Sequence, residues 1–249
     1  MLGAARKLKE LAIDYANAGP VSTPVIPPNW RPQLEHLAFS DYFTRGRLFL
    51  AFSSSGLDFS RLKMLSIHGL CHGQKIRSFL LVLPPNNVVE TLNIWYPIYT
   101  GELREDLSIA SLPCLQSIRV SGRLSAVDFT SVLTQCVAHV SLEYIVFEAG
   151  MHDLQETTQN DWLRFSTAVR QHPPDRTITL LLFQSEVLLD TDSSAENLLH
   201  NRLKLKEYMT SLEQRNGDVG LLLAEGRLSL QEECFCSTLS SYTEPYLKL

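Results

Sequence analysis

The residues of this 249-residue chain best equipped for chemistry are its thiols and imidazoles. His68-x-x-Cys71-His72 and Cys234-x-Cys236 carry the ligand types of a tetrahedral zinc site. Such a site needs four convergent ligands, and no second cysteine pair supplies them, so no metal is expected. Nucleophilic catalysis has no firmer basis. Serine, histidine and aspartate are plentiful, yet none stands in a G-x-S-x-G elbow and no cysteine in a protease-type signature. Neither G-x-G-x-x-G nor G-x-x-x-x-G-K-(S/T) occurs, which removes the glycine-rich loops that cradle phosphates. The residues argue against an enzyme and imply no cofactor.

What remains is the chemistry of recognition. Trp95, Arg119 and Tyr144 are the residue types that dominate binding hot spots, and they lie about one repeat apart. The elements that position them announce themselves as L-x-x-L-x-(I/L/F/V): Leu8-Leu11-Ile13, Leu34-Leu37-Phe39, Leu62-Leu65-Ile67, Val89-Leu92-Ile94, Leu115-Ile118-Val120, Leu142-Ile145-Phe147 and Ile178-Leu181-Phe183. The second anchors stand 26, 28, 27, 26, 27 and 36 positions apart, and the first five intervals fall within the 20–29 range of leucine-rich repeats. Each unit is then a short strand with a return segment, unable to bury its apolar side alone. The units must stack into an α/β leucine-rich-repeat solenoid, with parallel strands on the concave face and irregular helices and loops on the convex face.

Period-two alternation sends the first, fourth and sixth pattern positions into the core and those between them onto the concave surface. His68, Asn93, Trp95, Arg119, Tyr144 and Glu148 are therefore expected to line one face and hold a protein partner. The competing reading is that Trp95 and Tyr144 pack on neighbouring strands or under a loop. Glu10, Asp14 and Asp41 form an acidic cluster at one end, suited to a basic peptide or simply solvated.

The return legs are unequal. Pro20, Pro24, Pro27, Pro28 and Pro32 make the first an extended loop. Apolar residues three and four apart predict helices over 44–53, 74–83, 125–137 and 159–171, with Ser60, Ser125 and Asp161 near element starts. The long last step predicts an inserted loop from Gly150 to Gln159. Residues 1–185 form the solenoid of about seven units, and 186–249 its cap. In that cap, Ser193-x-x-Glu196 opens a helix of about 20 residues, Asn216-Gly217 stops it, and Val219–Leu223 with Arg227–Leu230 form a closing strand pair. Nothing visible covers the outward edge at Leu11 and Ile13, so a partner or upstream sequence is expected there.

The phrases Leu34-Glu35-His36-Leu37-Ala38-Phe39, Leu62-Lys63-Met64-Leu65-Ser66-Ile67 and Leu112-Pro113-Cys114-Leu115-Gln116-Ser117-Ile118-Arg119-Val120 resemble the C-terminal repeat regions of fungal F-box proteins, over roughly residues 8–185. The resemblance implies a substrate-holding role beside a cullin–RING ubiquitin ligase. In that family an N-terminal F-box binds a Skp1-type adaptor. No F-box precedes Leu8 here, so the adaptor is implied only if one lies upstream; the alternative is a stand-alone interaction scaffold. At the ninth repeat position, where the common consensus has a buried Asn or Cys, stand Tyr42, Leu70, Pro97, Arg123 and Gly150, so the backbone must be satisfied differently.

Bulk properties agree. The formal charge is −5 without a Lys/Arg block, which disfavours nucleic acid. Five cysteines without framework spacing, and no N-x-S/T acceptor, suggest a cytoplasmic or nuclear location. No apolar run is long enough for a membrane span.

Overall fold

A computed structural model describes residues 9–14, 33–40, 58–68, 73–96, 106–183, 195–215 and 217–232. Eight strands form one sheet in chain order: β1 (Glu10–Asp14), β2 (His36–Ser40), β3 (Met64–His68), β4 (Thr91–Tyr96), β5 (Ser117–Gly122), β6 (Tyr144–Gly150), β7 (Thr177–Phe183) and β8 (Ser229–Glu232). Every neighbouring pair is parallel. The register aligns Leu11, Leu37, Leu65, Leu92, Ile118, Ile145 and Ile178 in one column. Two residues on, Phe39, Ile67, Ile94, Val120, Phe147 and Leu180 form a second column. Alternation places both on one side of the sheet, where they are buried. This is an α/β fold with an all-parallel sheet.

Each strand starts the same way. The carbonyls of Lys9, Glu35, Lys63, Glu90 and Gln116 each accept two successive amides from the next strand's start, at 2.7–3.1 Å. Backbone thus satisfies backbone at the start of each strand. The side chains at these positions pair along the edge, Lys9 with Glu35 at 2.9 Å and Lys63 with Glu90 at 3.4 Å. Both pairs are solvated and contribute little to stability.

The helices pack on the apolar columns. They are α1 (Gly73–Leu80), α2 (Ala126–Cys136), the single turn α3 (Met151–Leu154), α4 (Gln159–Gln171), α5 (Ala195–Arg215) and α6 (Gly217–Ala224), with a 3-10 turn at Ile109–Ser111. Phe79 of α1 meets Phe39 and Phe59 edge-on. Helical spacing puts Ala126, Phe129, Val132, Leu133 and Cys136 on one buried stripe of α2. Phe129 there touches Phe147 of β6 and Phe165 of α4. Both α2 and α4 open with a reciprocal capping box, Ser125 with Asp128 and Thr158 with Asp161. Ser125→Ala is expected to lower the urea midpoint by the equivalent of about 1 kcal/mol, and an unchanged midpoint would show the cap to be idle.

Side chains tie successive turns together. Asn87 Nδ2 donates to the carbonyls of Pro84 and Ser111, both at 2.8 Å. His139 Nε2 lies 3.0 Å from Ile109 O and His172 Nε2 lies 3.1 Å from Leu133 O. Arg176 donates to Leu142 O at 2.7 Å, Cys136 O at 3.0 Å and His139 O. Arg227 repeats the motif one step on, reaching Val169, Arg170 and His172 carbonyls. These side chains supply donors to carbonyls of neighbouring segments.

Several expectations need correction. The seventh strand is out of phase: Ile178 pairs with Ile145 and Leu180 with Phe147, so Leu181 and Phe183 fall on the opposite face, aligned with Glu148 and Gly150. The step is then 33 residues, because Ile178 takes the second-anchor position. The excess over a 27-residue step is not an open loop. Gly150 ends β6, α3 follows, and Asp153 and Leu154 are buried. Val219–Leu223 is helical rather than a strand, since Val219 and Leu222 sit three apart on a buried face. That helix, α6, ends in a Schellman motif, with Gly226 at φ 69°, its amide on Leu223 O and the Arg227 amide on Leu222 O. The segment after it, β8, is a parallel strand on β7, so the sheet continues past residue 185. The predicted helix 74–83 ends at Leu80. Ser60 belongs to a turn, its amide held by Asp58 Oδ1 at 2.9 Å, and starts no helix. The predicted helix 44–53, Ser193, and ninth positions Tyr42, Leu70 and Pro97 lie outside the described residues.

Candidate functional site

The sheet's second face carries the residues between the apolar columns, and the register sets their relations. Three columns run across it. The first holds His36, Met64, Thr91, Ser117, Tyr144 and Thr177; the second Ala38, Ser66, Asn93, Arg119, Val146 and Thr179; the third His68, Trp95, Ser121, Glu148 and Leu181. All six expected residues, His68, Asn93, Trp95, Arg119, Tyr144 and Glu148, fall on this face. Trp95 on β4, Arg119 on β5 and Tyr144 on β6 occupy the third, second and first columns, a diagonal over three adjacent strands. Strands about 4.8 Å apart and column steps of about 6.6 Å put roughly 8 Å between neighbours on that diagonal.

The contacts are specific. Tyr144 is 50% exposed. Asn93 Nδ2 donates to Ser66 Oγ at 3.1 Å, one strand over. His68 and Trp95 are opposite each other on β3 and β4, their ring centroids 6.2 Å apart and tilted by 47°. Glu148 is 1% exposed, and its carboxylate is ion-paired with Arg119 and accepts the Ser121 hydroxyl at 2.5 Å. A carboxylate that deep is tolerated only with such partners. Arg119 is therefore both a surface group and the counter-charge of a buried acid. Its removal would leave that acid unpaired, so it is not a neutral position for probing binding.

Alternation also assigns Ser121 to this face, where it is buried, but misses Thr179, Leu181 and Phe183. Thr179 is buried and the other two half-buried. Correct phasing of β7 would have brought in all three. At the acidic end, Glu10 lies 3.2 Å from His36 Nδ1. Asp41 and the side chain of Asp14 lie outside the described residues, as do Cys71, His72, Cys234 and Cys236. Among the described residues no three His, Cys, Asp or Glu side chains cluster to hold a metal ion. No helix among them is long and apolar enough to cross a membrane.

The arrangement offers two aromatic surfaces, a charge-compensated guanidinium and an amide, all on strands fixed by a common register. Rigid aromatic and guanidinium groups suit contact with another macromolecule. Comparison with protein-family models, with curated proteins and with solved structures finds no match.

Proposed function

We propose that the chain is a leucine-rich-repeat solenoid whose second sheet face, the one carrying Trp95, Arg119 and Tyr144, binds a protein. In its most specific form, the proposal is that the chain is the substrate-recognition part of an F-box-like subunit of a cullin–RING ubiquitin ligase. The strictly sequential strand order supports the solenoid over a doubly wound sheet, whose order reverses at a switch point. β1 and β8 stand at opposite ends of that order, which favours an open stack over a closed barrel. The ligase assignment rests on the resemblance of the strand phrases. Binding rests on one observation, the diagonal of Trp95, Arg119 and Tyr144.

The test is a photo-crosslinking residue placed at position 144 and, as control, at the exposed Leu163 of α4. Position 144 should capture a discrete protein from a lysate of the source cells, and position 163 should not. Trp95→Ala with Tyr144→Ala should weaken capture by about a hundredfold or more, since such side chains each contribute about 2 kcal/mol when water is excluded. The thermal transition should hardly move, because neither side chain is buried in the core. Equal capture from both positions would place the binding surface elsewhere. An F-box in frame upstream of Met1 in the gene would support the ligase reading; a stop codon there would favour a stand-alone scaffold.

A further inference from the structure

The seam between the β6 and β7 units is closed by one imidazole whose hydrogen bonds leave no room for a second proton. His172 Nδ1 lies 2.6 Å from Arg176 Nη1, and Nε2 lies 3.1 Å from Leu133 O. An arginine nitrogen can only donate and a carbonyl can only accept, so Nδ1 is the bare nitrogen and Nε2 carries the hydrogen. Protonating Nδ1 would point N–H at N–H and set two positive charges together. The same Arg176 closes the rest of the seam, on Cys136, His139 and Leu142 carbonyls.

The groups facing His172 reinforce this. Arg176 comes from the β7 lead-in and Arg227 from the β8 lead-in, the latter donating to His172 O at 2.6 Å. From α2 comes Cys136, whose thiol burial pushes up to about 12 and so keeps neutral. Asp175, the nearest acid in sequence, is exposed. Burial first, and Arg176 second, hold His172 down at about 4.

We propose that this seam is a proton-operated hinge: uptake of one proton at His172 Nδ1 ejects Arg176 from the α2 carboxyl end and parts the β6 and β7 units while β2–β5 stay paired. Its folded pKa lies below the ordinary value of 6.5. The seam's strength is therefore complete above about pH 6.5 and is lost as pH falls toward 4. The shift corresponds, at pH 4.5, to on the order of a fifty- to hundredfold weaker seam.

Hydrogen exchange on the full chain at pH 7.0 and 4.5, normalised to intrinsic rates, tests this. The Thr177 amide, bonded across the seam to Glu143 O, should lose about fifty- to a hundredfold in protection. The Thr91 and Ser117 amides, bonded to Lys63 and Glu90, should change by less than about threefold. In His172→Gln, which cannot take up the proton, Thr177 should no longer respond selectively. Equal loss at all three amides, or a selective loss surviving in His172→Gln, overturns the hinge. Should that variant fail to fold, an NMR titration of wild-type His172 decides. An imidazole that protonates near 6.5 with Thr177 still protected is incompatible with the proposal.

Discussion

Arg176→Met is expected to lower the unfolding free energy by about 4 kcal/mol. Arg176 is 5% exposed, and four of its five N–H groups are used, on three backbone carbonyls and the His172 ring. Two of those carbonyls, Cys136 and His139, belong to the last residue of α2 and the turn after it, where unpaired acceptors and the negative end of the helix dipole accumulate. Methionine fills the space of the stem and supplies no donor. Each hydrogen bond to a charged group is worth about 1.5–3 kcal/mol, and each orphaned carbonyl adds a penalty; shared packing keeps the total below the sum. Arg176→Lys should recover little, because an ammonium lacks the planar fork that reaches separate carbonyls. Urea unfolding measures both, and a loss below about 1 kcal/mol for the methionine variant would mean that water replaces the guanidinium there.

Phe129→Ala should cost about 4 kcal/mol. The ring is fully buried, with centroids 4.7 Å from Phe147 and 5.8 Å from Phe165, so it joins a strand and two helices. Truncation removes its transfer energy and leaves a cavity that neighbours on three elements cannot easily close. Phe165→Ala contacts the same space, so the double variant should lose clearly less or more than the two single losses combined. Leu163→Ala, on the 47%-exposed side of the same helix, should change stability by less than about 0.5 kcal/mol. Similar losses for Phe129 and Leu163 would contradict the helix orientation.

The first six strands were legible because two signals coincide in them, an inward Leu, Ile, Val or Phe every second residue and a lead-in Leu or Val three residues before the anchor. At β7 the lead-in position holds Asp175, and the outward Leu181 and Phe183 are as apolar as the inward Ile178 and Leu180. Alternation has no contrast there, and the phase was lost. The Val219–Leu223 run is ambiguous for a related reason, since a short segment with four apolar residues around Gly220 fits a buried strand and a buried helix equally well. The candidate face was legible as a set of residues but not as a network. Arg119 and Glu148 are diagonal neighbours only once β5 and β6 are in register. The histidine ties did leave a trace: His139 and His172 are 33 residues apart, the same step that separates Ile145 from Ile178.

The row of residues just before the strands, Lys9, Glu35, Lys63, Glu90, Gln116 and Glu143, alternates in sign over its first four members. Such a row has parity. Excising the single unit 63–89 would bring Glu35 against Glu90, whereas excising 35–89 would bring Lys9 against Glu90, a pair of the kind already present. Like charges on adjacent strands are disfavoured by a few tenths of a kcal/mol to about 1 kcal/mol. In this half of the chain, removal of two adjacent units therefore keeps opposite charges side by side, whereas removal of one sets like charges together.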